Sequence, residues 1–404
     1  MTVLDQALQQ DSGLISAHAL QGFGVLFLAK PELTPMVEIA LAKAEQTLEV
    51  RGSTTFESTL VTALRHALAG HWRAAAAQLE ALTGTPDANI LSLKLAHQLR
   101  FMSGDAKGML EATSRYAQLH PDSPGYAFAL GCHAFAFEEA GNYVEAEQIG
   151  CFAAEREPHD CWGGHAVAHV YEMTGRNQTG KHWIDQRRHF WKDCNNFGFH
   201  IEWHYALFML EAGEFESVLR HYDAAVRNEQ TDDFRDFSNA ASMLQRLELA
   251  GVTVGNRWQE LANLALVRVK DQHLVFASLH HMLALVATND LVGANQLVES
   301  LEAMANGAHH DQSEAARTIG LPLGQHLYNA AFRPEAEAAD RVALAERLPR
   351  AGGSFAQRDV FLRTLIVDAV RAQNSQAAIK LTEMRARMKS EDLSLQIAIQ
   401  RAQS

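Results

Sequence analysis

Apolar positions along residues 127–158 recur at helical spacing. Leu130, Ala134 and Phe137 lie three or four residues apart and predict the inner face of one helix. Gly141-Asn142-Tyr143 predicts a turn, after which Ala146 and Ala153 let a second helix pack closely before Pro158 ends it. The same order returns with Ala168, Tyr171, Gly175 and Gly180, and again with Ala206, Gly213, Phe215, Tyr222 and Ala225. Gly70 and Gly104 mark two weaker copies upstream, so the turn glycines are separated by 34, 37, 34 and 38 residues. That period, with that internal order, marks tetratricopeptide-like helix–turn–helix units.

Gly251 and Asn289-Asp290 continue the spacing, and apolar helical runs follow over 321–331, 335–347, 357–372 and 375–388. Residues 14–30 and 32–50 read as one more hairpin, and 306–317 as a long polar surface loop. The expected fold is therefore all-α, a right-handed α-solenoid of roughly ten hairpins strongly curved around a central groove or lumen. It forms one continuous domain over 1–404, with an N-terminal hairpin (1–55), the clearest repeats (56–235) and degenerate C-terminal repeats (236–404).

Hydrophobic residues make up 47% of the 404, enough for a packed core. A net charge of −13 argues against nucleic acid as a partner. The longest apolar run, 22–29, stops at Lys30 and is too short to span a bilayer. The N-terminus lacks a secretory pattern, and four cysteines without a C-x-x-C pair suggest reduced thiols and a cytoplasmic location. The acidic surface and terminal hairpins permit self-association as a homo-oligomer.

One stretch carries candidate chemistry. Eight of the twenty histidines lie between His159 and His221, among Trp162, Trp183, Trp191 and Trp203. His165/His169 and His200/His204 are i,i+4 pairs, so each pair shares a helix face, and Glu172 extends the first. In the repeat frame His165, His169 and Glu172 take the fifth, ninth and twelfth places, and His200 the second of the next unit, all usually concave. The candidate catalytic set is therefore His165, His169, Glu172, His200 and His204, acting as acid and base near neutral pH. His165, His169, Glu172 and His200 could alternatively hold a divalent transition metal. The zincin motif is absent, because Ala166 stands where its glutamate belongs and Glu202 is misplaced in the second pair.

Several of these runs also resemble a known family. His165-Ala166-Val167-Ala168-His169 with Glu172-Met173, Trp203-His204-Tyr205-Ala206-Leu207, Gly251-Val252 with Gly255 and Arg257-Trp258, Gly320-Leu321-Pro322-Leu323, and Gly352-Gly353-Ser354 with Ala356-Gln357-Arg358-Asp359-Val360-Phe361 resemble the tetratricopeptide repeat protein 38 family. His18, His97, His200 and His280 fall where histidines are expected in it. The resemblance covers nearly the whole chain and implies an all-α superhelix, with no activity to carry over.

Ser354 and Gln357 have capping-box spacing, and a glycine-rich helix start beside Arg358 could hold a carboxylate or phosphate. If the C-terminal hairpins curl back, Arg358 and Asp359 come near the histidines. Candidate ligand-binding residues are thus His18, Trp203, His280, Gln357, Arg358 and Asp359. Glu138 and Glu139, at the twelfth and thirteenth places of their repeat, either face the same groove or form a solvated acidic patch, the second being preferred, and His97 reads as a packing residue. Two functions follow: a small polar molecule held in a histidine- and tryptophan-lined pocket, with hydrolysis the least specific chemistry, or a peptide held in the concave groove of a scaffold. Peptide-carboxylate clamps favour lysine, arginine and asparagine, so the imidazoles favour the pocket.

Overall fold

The computed structural model describes residues 3–192, 194–336 and 339–404, and every regular element among them is helical. Helices alternate in hairpins: Tyr126–Glu139 turns into Tyr143–Arg156, Cys161–Met173 into Asn177–Trp191, and Phe197–Glu211 into Phe215–His221. The first helix of each hairpin packs on the first helix of the next. Such a helix is enclosed on all sides and must be apolar or neutral all round. Accordingly, Cys161–Met173 buries every residue except Trp162, whereas its partner Asn177–Trp191 keeps a solvated face. No helix among the described residues is long and apolar enough to cross a membrane.

The turn glycines have a conformational reason. Gly141 has φ +79°, its N–H donates to the Glu138 carbonyl at 2.8 Å, and the Asn142 N–H donates to the Phe137 carbonyl at 2.9 Å. A left-handed residue thereby satisfies the last free carbonyls of the helix. Asn289 takes the corresponding place with φ +56°.

The C-terminal part of the chain returns along this row of turns, in order. The Asp311 N–H donates to the Gly70 carbonyl at 3.0 Å, and the Ser390 N–H to the Met173 carbonyl at 2.8 Å. The Tyr143 hydroxyl donates to the Met388 carbonyl. Pro349 sits on Gly104, Leu393 on Gly213 and Arg401 on Gly251. The expected curling back of the C-terminal hairpins is thus present, as a strip laid across the turns of the earlier hairpins.

This gives a paired test. Gly141→Ala should cost about 1–2 kcal/mol, the penalty of a left-handed L-residue, since the nearest atom to its Cβ would be 3.7 Å away. Gly104→Ala should cost at least about twice that on the same scale, because its Cβ would lie 1.9 Å from the Pro349 carbonyl oxygen. Equal urea midpoints for the two variants would show that the C-terminal strip does not bear on the Gly104 turn.

Four expectations about local structure are corrected. The loop over 306–317 contains a helix, Asp311–Ala315, which runs through a wide turn, Ala316–Gly320, into Leu321–Phe332. His310 caps it, accepting from the Ser313 N–H at 3.1 Å, and Asp311 binds the Arg73 guanidinium at 2.9 Å. The helix expected over 335–347 is only Arg341–Arg347, started by Asp340 accepting from Val342 and Ala343; Glu337 and Ala338 lie outside the described residues. Two short helices, Val3–Gln10 and Leu393–Gln403, were not signalled. The sulfurs of Cys161 and Cys194 are bonded, against the expectation of four free thiols, because the start of one first helix meets the turn before the next; Cys132 and Cys151 are unlinked.

Candidate functional site

Helical spacing brings each histidine pair onto one face, and hairpin stacking brings the faces together. The ring centres of His165 and His169 are 4.8 Å apart, and those of His200 and His204 are 4.7 Å apart. Across the two helices, His169 lies 4.3 Å from His204 and His165 lies 5.3 Å from His200. One nitrogen from each of the four rings lies within 4.8 Å of all the others. All four side chains are buried.

Each ring is held by an acceptor on one side. The His165 Nδ1 lies 2.6 Å from the Trp162 carbonyl, and the His204 Nδ1 lies 3.0 Å from Glu172 Oε2. The His200 Nδ1 meets the Asn239 amide, whose nitrogen is 3.1 Å away and whose oxygen is 3.4 Å away. The His169 Nδ1 faces Glu138 Oε2 at 3.5 Å. The opposite nitrogens turn toward one another, with the Nε2 atoms of His200 and His204 only 3.2 Å apart.

A row of carboxylates lies behind the rings, at the last turns of the first helices. Glu138 and Glu139 end Tyr126–Glu139, Glu172 is near the end of Cys161–Met173, and Glu211 ends Phe197–Glu211. Acids are disfavoured at a helix C-terminus, and burial raises the cost. The returning strip supplies the cations. Arg358 pairs with Glu139 at 3.1 Å, and the Lys389 ammonium binds both Glu172 and Glu211. The expectation that Glu138 and Glu139 form a solvated patch is therefore corrected: Glu138 is 1% exposed and Glu139 8%.

These surroundings divide the protonation states. Burial, then the neighbouring imidazoles, hold His165 and His200 well below the ordinary histidine range, so both are neutral bases. Burial holds His204 down at about 4. Burial also acts downward on His169, but the Glu138 carboxylate outweighs it and the net shift is upward. Glu138 is itself pushed up to about 7, by burial first, against the opposing pull of His169. Both members of the Glu138–His169 pair are therefore shifted toward holding a proton. Glu172 stays ionised because Lys389 and His204 overcome its desolvation.

A cavity of about 370 Å³ borders the rings of His165, His169 and His200. Its walls are mainly aromatic, with Phe101, Phe135, Trp162, Phe197, Phe234 and Phe276 drawn from widely separated hairpins. Ser354 and Gln357 close one side, where the capping box is formed in both directions. The Gln357 Nε2 also reaches Asn239 Oδ1 at 3.4 Å, linking that helix start to His200.

No family model matches the chain.

Among the residues singled out from the sequence, the four histidines, Glu172, Gln357 and Arg358 meet in this region. His18 does not: its Nε2 bonds the Ser12 carbonyl at 2.9 Å within the first helices. Trp203 stacks on His200 at 5.4 Å but does not line the cavity. His280 packs between Phe276 and Phe361, bonds the Phe276 carbonyl at 2.8 Å, and is held down at about 3 by burial. Asp359 faces away, into a buried arginine network. These four corrections share a cause: burial places polar residues in packing roles that helical spacing alone does not separate from a site. Lys389, Asn239 and Glu211 were missed. Nothing local marks them, since their partners lie tens to hundreds of residues away.

Proposed function

We propose that this chain is a curved solenoid of tetratricopeptide-like hairpins, related to the tetratricopeptide repeat protein 38 family, that binds a small molecule in its histidine-floored cavity and acts on it by acid–base chemistry. The observation that carries this reading is the convergence of His165, His169 and His200 at one wall of a cavity of about 370 Å³, with the Glu138 carboxylate 3.5 Å behind His169. That volume lies within the usual range for small-molecule sites. The aromatic walls favour a ligand with a largely apolar body and one polar end at the imidazoles, rather than the wholly polar molecule expected from the histidines. Several imidazoles beside that polar end suit proton transfer or hydrolysis.

The test is native mass spectrometry of the purified protein beside the His165→Ala/His169→Ala variant, with circular dichroism as the folding control. A co-purifying small molecule lost from a folded variant is the expected result. Identical spectra for both proteins, with no ligand in either, would remove the proposal.

A further inference from the structure

We infer that the four imidazoles form a binding site for one divalent first-row transition-metal ion, with His165, His169, His200 and His204 as ligands through their inward nitrogens. The inference concerns the same wall of the cavity but does not depend on a small molecule being bound there.

Three independent features carry it. The first is convergence: one nitrogen from each ring lies within 4.8 Å of the others, and the closest pair, His200 and His204, is at 3.2 Å. Bonds of 2.0–2.1 Å in a tetrahedral site would put the nitrogens about 3.4 Å apart. The closest pair already has this spacing, and the wider ones need to close by about 1 Å or so on the same geometry. Two Nε2 lone pairs at 3.2 Å repel unless something positive lies between them, either a proton or a metal.

The second is the outer shell. Metal-bound histidines almost always donate their other N–H to a carbonyl or carboxylate, which fixes the tautomer and aims the free lone pair. Here Trp162 offers a carbonyl to His165, Glu172 a carboxylate to His204, Glu138 a carboxylate to His169, and Asn239 an amide to His200. His165 and His204 are thus each fixed by an acceptor at hydrogen-bond distance, while His169 faces the Glu138 carboxylate at 3.5 Å and His200 lies nearest the Asn239 amide nitrogen at 3.1 Å.

The third is charge. Glu139 pairs with Arg358, and Glu172 and Glu211 share Lys389, whereas Glu138 faces His169 alone at 3.5 Å. Neither oxygen of Glu138 has a hydrogen-bond partner, although the residue is 1% exposed. An ion held by His169 would bring positive charge next to that carboxylate. An all-imidazole set selects zinc, iron, cobalt, nickel or copper over magnesium and calcium, which take oxygen ligands. Because His165, His169 and His200 border the cavity, such an ion would sit at the cavity wall.

The experiment is a titration of chelator-stripped full-length protein with Co²⁺ alone, read by visible absorption, elemental analysis after desalting, and thermal melting. The expected result is one Co²⁺ per chain, a ligand-field band of a nitrogen-bound ion, and a raised melting temperature, with Mg²⁺ giving none of these. His200→Ala should abolish the band, and Glu172→Gln, which weakens the acceptor that positions His204 and also the pairing with Lys389, should weaken affinity about 10–100-fold. Replacing the exposed His159 by alanine should change nothing. A wild-type protein that binds Co²⁺ no better than Mg²⁺ overturns the inference even if a histidine variant fails to fold, as does a folded His200→Ala protein with an undiminished band. No readout uses turnover or the small ligand, so failure here leaves the acid–base reading to its own test.

Discussion

Replacing Lys389 with methionine should cost the protein about 3–5 kcal/mol of stability, the usual penalty for leaving a buried charge without its partner. The ammonium is 1% exposed and is the shared partner of Glu172 and Glu211, which lie on different hairpins. Burial already pushes Glu211 up to about 7 with the lysine present. Without it, Glu172 loses the strongest of the charges that keep it ionised, and with that its grip on His204. Urea unfolding should show the loss directly. Adding Glu172→Gln and Glu211→Gln to the methionine variant should return a large part of it, because the stranded charges are then gone. A loss below about 1 kcal/mol, the level of an exposed ion pair, would show that Lys389 is not buried in solution.

A comparable loss is expected at Asp359, with a pH signature. Asp359 accepts from Arg363 Nε and Arg385 Nε, each at 2.7 Å, and Asp392 accepts from the same two arginines at 2.6 and 2.7 Å. Two acids and two guanidiniums thus form a neutral, buried square that joins the helix Phe355–Arg371 to the segment before Leu393–Gln403. Burial alone would raise the Asp359 carboxyl, but Arg385 and Arg363 outweigh it and hold it well below the usual range. A carboxyl depressed in the folded state contributes fully above its unfolded value, near 3.8, and loses that contribution as pH falls below it. Asp359→Asn should therefore cost about 3–5 kcal/mol at neutral pH. The gap between wild type and variant should stay constant down to about pH 5 and narrow below about pH 4. Buried neutral His97, His280 and His281, each held at about 3 by burial, lower the stability of both proteins from pH 6.5 downward and cancel in the difference. A gap that closes at pH 6 would contradict the assignment of the stabilising charge to Asp359.

What could be read from the sequence was whatever depended on neighbours along one helix or one turn. The glycines at 70, 104, 141, 175 and 213 were legible because a left-handed turn leaves few other choices. The two histidine pairs were legible because i,i+4 spacing survives any packing. Contacts made by the returning strip were not legible. Lys389 sits in a charged run, 388–392, that looks solvated, and Glu138 and Glu139 look like an ordinary acidic helix end. Their burial follows from a contact made across more than two hundred residues. The cavity walls were hidden for the same reason, since Phe101, Trp162, Phe234 and Phe276 share no local pattern. His18, His280 and Trp203 lie away from the cavity lining, where helical spacing could not separate packing and backbone hydrogen bonding from a place in the site.

The strip across the turns also has a consequence for synthesis. Glu172 leaves the ribosome 217 residues before Lys389. At roughly 5–20 residues per second, that is a wait of about 10–40 s. During the interval the early hairpins can stack, but the acids at their ends have no cation, and the histidine cluster lacks the charge that steadies it. The nascent chain therefore carries Glu172 and Glu211 without their lysine partner until the C-terminal hairpins have been made.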